Sequence, residues 1–273
     1  MQAGVFKLLE DAGVQVRAAE RTYRPSVSLA GFEAKILKPQ NVIEMLAAGS
    51  RDIGFAGRDW VGELQVDVVE LLDTMMDPVR LVAAAPAALL ENGGLPKRRL
   101  LIASEYERIT RGWIAERQID ADFVLSYGAT EVFPPEDADC IVDNAATGET
   151  LRANSLVIID ELMCSSTRLY ANPRALDDTV KREVISDLVL LLKSVLEAKE
   201  RRMVELNVSS EALPAVLEIM PSMKQPTVSQ LAGSAGFVVK AAVLRRELPA
   251  LIPLIHARGG TDIIVFEPSQ IVP

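Results

Sequence analysis

At 273 residues the chain has room for two or three domains, and 49% hydrophobic with 25% charged residues is ordinary globular composition. The net charge of −9 argues against a nucleic-acid-binding surface, so a phosphate ligand needs local positive potential from helix N-termini, arginines or a bound cation. Cys140 and Cys164 are the only cysteines and His256 the only histidine, which excludes a Cys/His zinc centre or a disulfide framework and argues against Ser-His-Asp chemistry. Carboxylates, backbone amides and a metal ion are left to do the work. No run approaches the ~20 apolar residues needed to span a bilayer, and no signal peptide is visible. Neither membrane nor nucleic acid is expected as a partner, and the cytoplasm is the expected location.

The first segment, "MQAGVFKLLEDAG", has Val5, Leu8, Leu9 and Ala12 at helical spacing before the stop at Gly13. "VQVRAA" follows as a strand, and "PQNVIEMLAAGSRDIGFAGRDW" as a helix, a glycine stop and a short apolar strand. Such alternation predicts a parallel sheet covered on both faces. An α/β unit normally opens with a strand, and here the chain begins within a residue or two of a helix, so either the fold tolerates the omission or an opening strand precedes the given sequence.

A strand is predicted from about 79 to 88. "RRLLIASEYERITRGWIAERQ" reads as strand, turn and helix, with Ser104 and Thr110 as candidate caps. "ADFVLSYG" and "DADCIVD" read as strands, "SLVIIDELMCSSTRLYANP" as two more, and "DTVKREVISDLVLLLKSVLEAKER" as a long helix with a stripe of Val184, Leu188, Leu191, Leu192 and Val195. Beyond about residue 200 the pattern is βαββαβ, a ferredoxin-like order. Its second helix contains Pro253, an awkward interior residue, and ends near His256, where partial positive charge is favourable.

The densest chemistry lies in "IVDNAATGETLRAN", residues 141–154. The loop leaves the C-terminal end of an apolar strand, where open α/β sheets place ligands. Gly148 lets backbone approach a ligand without a Cβ. Thr147 and Thr150 add hydroxyls, "TLRAN" can start a helix, and Asp143 stands at the loop entrance to accept from sugar hydroxyls or hold a metal-bound water. A sugar phosphate is the ligand this pattern suits, although many Gly/Thr turns bind nothing. Glu131 is a candidate second carboxylate, with a solvated loop acid as its alternative. Arg108 and Arg111 are candidate phosphate contacts, or surface arginines at a helix start.

These segments resemble the ATP phosphoribosyltransferase family, long form. "RDIGFAGRD", "IASEYERITR", "TEVFPPEDADCIVDNAATGETLRANSL", "SSTRLYANP" and "KQPTVSQL" are similar to family blocks in the same order, the third being the most specific. The resemblance implies an α/β, two-lobed core like type II periplasmic binding proteins, with lobe I from residues 1–84 and 157–199 and lobe II from 85–156. A ferredoxin-like regulatory domain would occupy 200–273. It implies transfer of phosphoribosyl from phosphoribosyl diphosphate to N1 of ATP, with Mg²⁺, at the first step of histidine biosynthesis, and feedback inhibition by histidine.

By that resemblance Asp143 and Glu131 are catalytic, and Asp143, Ala145, Ala146, Thr147, Gly148, Glu149, Thr150, Arg111 and Asp59 bind substrate. Asn207, Gln225 and Thr227 match effector positions, with Gln225 where many members have Ser and Asn207 where some have Asp. The metal ligands are not identified, and a dimer or hexamer is expected. The family's opening strand with its Lys-Gly-Arg-like turn has no counterpart here, and "LKPQN" replaces an acidic-Ile-Pro pattern. A catalytically weak paralogue and a non-enzymatic small-molecule-binding protein of the same fold are the alternatives.

Overall fold

The computed structural model describes residues 1–273 except 19–22, 222, 224, 235 and 273. The end of the predicted strand at position 19 and the start of the "KQPTVSQL" block at 224 lie outside the described residues. Two compact units emerge: residues 1–5, 18–26 and 33–185 form one, and residues 6–17, 27–32 and 186–273 the other.

The chain opens with helix α1 (Gln2–Asp11), in which Val5 and Leu8 are buried, and Gly13 ends it at φ +85°. Strands β1 (Val16–Arg17) and β2 (Ser26–Val27) are two-residue elements. Helix α2 (Pro39–Ala47) starts on proline after an extended Lys38, buries Ile43 and Leu46, and stops at Gly49, φ +74°. Then come β3 (Ile53–Gly57), α3 (Arg58–Leu64), β4 (Val69–Pro86), β5 (Leu100–Ser104), α4 (Glu107–Glu116), β6 (Ala121–Leu125), β7 (Cys140–Ala145), α5 (Glu149–Ala153), β8 (Leu156–Ala171), α6 (Pro173–Asp177) and α7 (Thr179–Glu200).

Six strands form one sheet in the order β3-β8-β4-β7-β5-β6. Only β5 with β6 and β5 with β7 are parallel; every other pairing is antiparallel, so the expected parallel sheet is mixed. The cause is β4 and β8, 18 and 16 residues long, which run against each other at its centre. The expected strand at 79–88 thus starts ten residues earlier, and the two short strands predicted from 155 are one. Their ladder shifts register at several points, and Met75 and Asp77 adopt φ +56° and +46°. Each bulge resets the two-residue alternation that a periodicity reading relies on.

Alternate residues feed two apolar clusters. Leu81, Ala83, Ile102, Cys140 and Val142 pack with Trp60, Tyr106 and Trp113, whereas Val82, Ala84, Ala103, Ile141 and Ala145 pack with Leu151 and Leu156. The expected caps of α4 are displaced: Ser104 Oγ donates to the Val142 carbonyl at 2.6 Å and accepts from the amide of Tyr106, just ahead of the helix, at 2.9 Å, and Thr110 is buried inside the helix. The carboxylate of Glu63 in α3 instead accepts from the amides of Arg108 and Ile109 at 2.9 and 3.0 Å. In α7 the buried stripe is Ile185, Leu188, Leu192 and Val195; Leu188, Leu192 and Val195 lie inward as expected, whereas Val184 is 40% exposed and Ile185 takes the inward place in that turn.

The second unit contains β9 (Arg201–Val208), α8 (Leu213–Ile219), β10 (Thr227–Gln230), β11 (Phe237–Leu244), α9 (Leu248–Ala257) and β12 (Gly260–Phe266). Its antiparallel sheet has the order β10-β11-β9-β12, the ferredoxin-like arrangement expected from βαββαβ. Val204, Leu206, Val208, Val239, Ala241 and Val243 pack against Val216, Met220, Leu251 and Ile255 of the helices. Pro253 is tolerated in α9 on its exposed side, and His256 falls in the last turn.

Gly260 is a tight point of this core that a substitution can probe. A Cβ there would lie 2.4 Å from Ile255 Cγ2 and 3.0 Å from the Ile255 carbonyl oxygen. Gly260→Ala is expected to destabilise the unit by about 1–3 kcal/mol, the usual cost of overpacking, seen as a lower urea midpoint.

Candidate active site

The C-terminal ends of the parallel strands β5, β6 and β7 deliver three segments to one sheet edge. From β7 come Asp143, Asn144 and the loop Ala145–Thr150. After β6, Gly128 and Ala129 turn at φ +105° and +50° into the 3₁₀ turn Thr130–Val132, which carries Glu131. The hydroxyls of Ser126 and Thr130, both buried, hydrogen-bond at 2.7 Å and pin that turn. Glu131, Asp143, Asn144 and the run from Ala145 to Leu151 line a cavity of about 200 Å³. Asp143 and Glu131 therefore line the same cavity.

The loop is built of backbone donors. Among the described residues, none accepts a hydrogen bond from the N–H of Ala146, Thr147 or Gly148. Gly148 precedes α5 at φ +74°, the left-handed conformation that glycine adopts without strain, and α5 is a single short turn. Thr147 Oγ1 accepts from the Glu149 amide at 3.4 Å, and the side chains of Thr147, Glu149 and Thr150 are exposed. Successive N–H groups freed in such a turn form an anion-binding concavity.

Asp143 is half-buried. Desolvation pushes its carboxyl up to about 6 against an opposing hydrogen bond from the Asn144 amide, 2.7 Å, and the negative charges of Glu131 and Glu105 add to the rise. The arrangement offers amides to an anion and two carboxylates to hydroxyls or a cation.

Asp59 and Arg111 are not among the residues lining this cavity. Asp59 is 4% exposed and lies behind it: Ser165 Oγ donates to Asp59 Oδ1 and Tyr106 Oη to Asp59 Oδ2, each at 2.6 Å. Tyr106 packs against Trp60 with ring centroids 4.6 Å apart, and the Asn144 side-chain amide donates to the same phenol oxygen. Burial first, then the charge of Asp59, pushes the Tyr106 hydroxyl well above the ordinary tyrosine range, so it stays protonated. Tyr106, Asn144 and Ser165 were missed from sequence. Tyr106 stands inside "SEYERITR", where the arginines drew the reading, and nothing local says that its ring turns inward. Arg111 is exposed, pairs with Glu107 at 2.8 Å and sits 5.0 Å over the Phe123 ring; Arg108 bonds Gln65.

In the second unit, Asn207 and Thr227 belong to the sheet face opposite the helices. Register aligns Thr227 with Lys240 and Lys240 with Glu205, whose ion pair is 2.8 Å. Asn207 donates to Asp262 Oδ2 at 2.9 Å, and Gln225 is exposed just before β10.

Mg²⁺ commonly takes one or two carboxylates and completes its shell with substrate phosphate and water. Asp143 and Glu131 suit that mode, whereas no group of three metal-ligating side chains occurs among the described residues. No helix among them is long and apolar enough to cross a membrane.

A mixed α/β unit with a carboxylate-flanked loop of unbonded amides, followed by a ferredoxin-like unit, defines a two-unit α/β architecture suited to an anionic ligand. Residues 38–194 match the family model "HisG: ATP phosphoribosyltransferase" and residues 198–269 the model "HisG, C-terminal domain". ATP phosphoribosyltransferases of Pelotomaculum thermopropionicum and Chlorobium phaeovibrioides are each 34% identical across this whole chain, covering 96% and 94% of their own lengths. A chain of the ATP phosphoribosyl transferase (HisG:HisZ) complex from Thermotoga maritima superposes with a TM-score of 0.61 at 25% identity, covering 70% of this chain and 93% of that one. The chain belongs to the ATP phosphoribosyltransferase family in its long form, and is a transferase of histidine biosynthesis.

The raised carboxyl of Asp143 has a thermodynamic consequence. Its folded-state value, about 6, exceeds the ordinary 3.8, so its contribution to stability is fully present below that ordinary value and is lost as pH rises through 6. Asp143→Asn, which keeps an acceptor for the Asn144 amide, should stabilise the ligand-free protein at pH 8 by about 1–3 kcal/mol. The gain should shrink towards pH 5 in urea denaturation, while enzymatic activity is lost.

Proposed function

We propose that the chain transfers the phosphoribosyl group of phosphoribosyl diphosphate to N1 of the adenine of ATP. A bond forms between N1 and the anomeric carbon as the carbon–oxygen bond to diphosphate breaks, its electron pair leaving with the diphosphate. Family membership supports the reaction. The observation that carries the binding step is the run of unbonded N–H groups at Ala146, Thr147 and Gly148 beside Asp143 and Glu131.

In this reading the 5-phosphate takes the loop amides, together with the hydroxyls of Thr147 and Thr150, while Ala145 and Glu149 frame the turn. Asp143 accepts from a ribose hydroxyl. With Glu131 it sets negative charge against the positive charge that develops on the sugar ring, in a cavity where preformed charges need no reorganisation. No histidine base or covalent nucleophile is required, because the leaving group is already activated. Mg²⁺, held by Asp143 and Glu131, would neutralise diphosphate charge when bound. Arg111 would exchange Glu107 for a substrate phosphate, and Asp59 would act from behind the site. Residues 1–84 with 157–199 and residues 85–156 would serve as catalytic lobes, and 200–273 as the regulatory domain.

Histidine is the effector we assign to the open sheet face of the second unit. Asn207, Gln225 and Thr227 offer polar contacts, and the neighbouring Glu205–Lys240 pair supplies both signs of charge that a free amino acid carries. The complex named for the Thermotoga maritima relative supports an assembled enzyme, here a homo-oligomer, dimer or hexamer.

Incubation with ATP, phosphoribosyl diphosphate and Mg²⁺ should yield phosphoribosyl-ATP and diphosphate; tight binding with no turnover would instead identify a catalytically weak paralogue. Gly148→Val should abolish phosphoribosyl-diphosphate binding by titration calorimetry. A Cβ at 148 makes only ordinary contacts, 3.5 Å to Arg152 and 3.9 Å to Ile158, so the fold should survive with the strain of one left-handed non-glycine residue, about 1–2 kcal/mol. Free histidine should lower the rate without competing with either substrate. Competitive kinetics, or no effect, would remove the regulatory role of residues 200–273.

A further inference from the structure

The hydrogen bonds around Asp59 have a definite polarity. Ser165 Oγ accepts from the Asp59 amide at 3.1 Å, so its own proton goes to Asp59 Oδ1. The Tyr106 hydroxyl gives its single proton to Asp59 Oδ2. No cation pairs with this buried carboxylate among the described residues, so these donors are its compensation. Having spent its proton, the phenol oxygen offers only lone pairs to Asn144, which must present its NH₂ group. Rotating the amide by half a turn would set two acceptors face to face.

One side-chain atom is thereby left over. Asn144 Oδ1 has no donor among the described residues, and Asn144 is an exposed member of the cavity lining. We propose that Asn144 is a substrate-binding residue whose Oδ1 accepts from a hydroxyl of the bound pentose, and that Asp59 and Tyr106 are positioning residues that hold it in that orientation. This deepens the phosphoribosyl-diphosphate reading and rests on it. Asp143 and Asn144 then grip the sugar with two different acceptors, one charged and one neutral.

The test is a double-mutant cycle on phosphoribosyl-diphosphate binding with Mg²⁺ present. Asn144→Ala changes an exposed side chain and should leave the melting temperature nearly unchanged. It should weaken binding about tenfold, the scale of one lost hydrogen bond, and raise KM for phosphoribosyl diphosphate but not for ATP. Tyr106→Phe should cause a similar loss, and adding it to Asn144→Ala should cost nothing further. Unchanged binding in Asn144→Ala, or losses that multiply in the double variant, would overturn the proposal.

A second readout needs no ligand. The side-chain amide NMR signals of Asn144, identified by their absence in Asn144→Ala, should move in both Tyr106→Phe and Asp59→Asn; signals that stay put would show that the phenol does not orient the amide. If wild type fails to bind phosphoribosyl diphosphate while those signals move, the transfer reading and the pentose contact fall, and the orienting chain stands.

Discussion

The antiparallel pairing of β4 with β8 is the constraint from which the rest of the first unit follows. β4 is bonded along its length, to β8 on one side and to β7 on the other, with Val82 opposite both Asp143 and Glu161. β7 reaches the sheet edge in fixed register, and its ladder with β4 ends where Arg80 meets Ala145. Among the described residues, the chain beyond that pair has no strand partner and nothing accepts from the amides of Ala146, Thr147 and Gly148. The cradle is what remains when a buried strand runs out of ladder. A one-residue slip in β7 would exchange Val142 and Asp143, turning a carboxylate into one core face and a valine out of the other.

Around that edge the protein holds polar groups at some cost to its stability. Asp143 carries a carboxyl that burial and neighbouring acids disfavour in the charged form, and Asp59 is a buried carboxylate held by two hydroxyl donors, with no cation paired to it among the described residues. Apolar residues of similar size would pack both positions more cheaply. Both lie within one hydrogen-bonded run of the loop, as expected when binding geometry is kept at the expense of folding free energy. The second unit spends its polar groups differently. One sheet face is sealed by α8 and α9, while the other keeps ion pairs and amides available.

Much of this was legible from residue order. Pro39 and Gly49 mark the ends of α2, the alternation in Arg201–Val208 marks β9, and Thr-Gly-Glu-Thr after Asp143 marks the loop, because each is local chemistry acting over a few residues. The long strands were not legible. Their bulges interrupt alternation, and the acids between Val69 and Asp77 look like loop residues until Arg168 is found paired with Glu70 and Asp73. The caps of α4 were misplaced for a similar reason: Glu63, which binds its first amides, is more than forty positions away in sequence.

Local propensity and pattern, carried by the sequence alone, determined the element types, the βαββαβ order after residue 200 and the placing of a turn with glycine and hydroxyl groups at residues 143–150. Tertiary structure decided the mixed direction of the sheet, the pairing of Glu131 with Asp143, and the burial of Asp59 against Tyr106, Asn144 and Ser165. The last of these joins residues 38 to 106 positions apart through hydrogen bonds whose energy exists only once the strands are aligned. A carboxylate written after Gly-Arg looks the same whether it will face a ligand or a phenol, since its partner is chosen by packing and not by its neighbours in the chain.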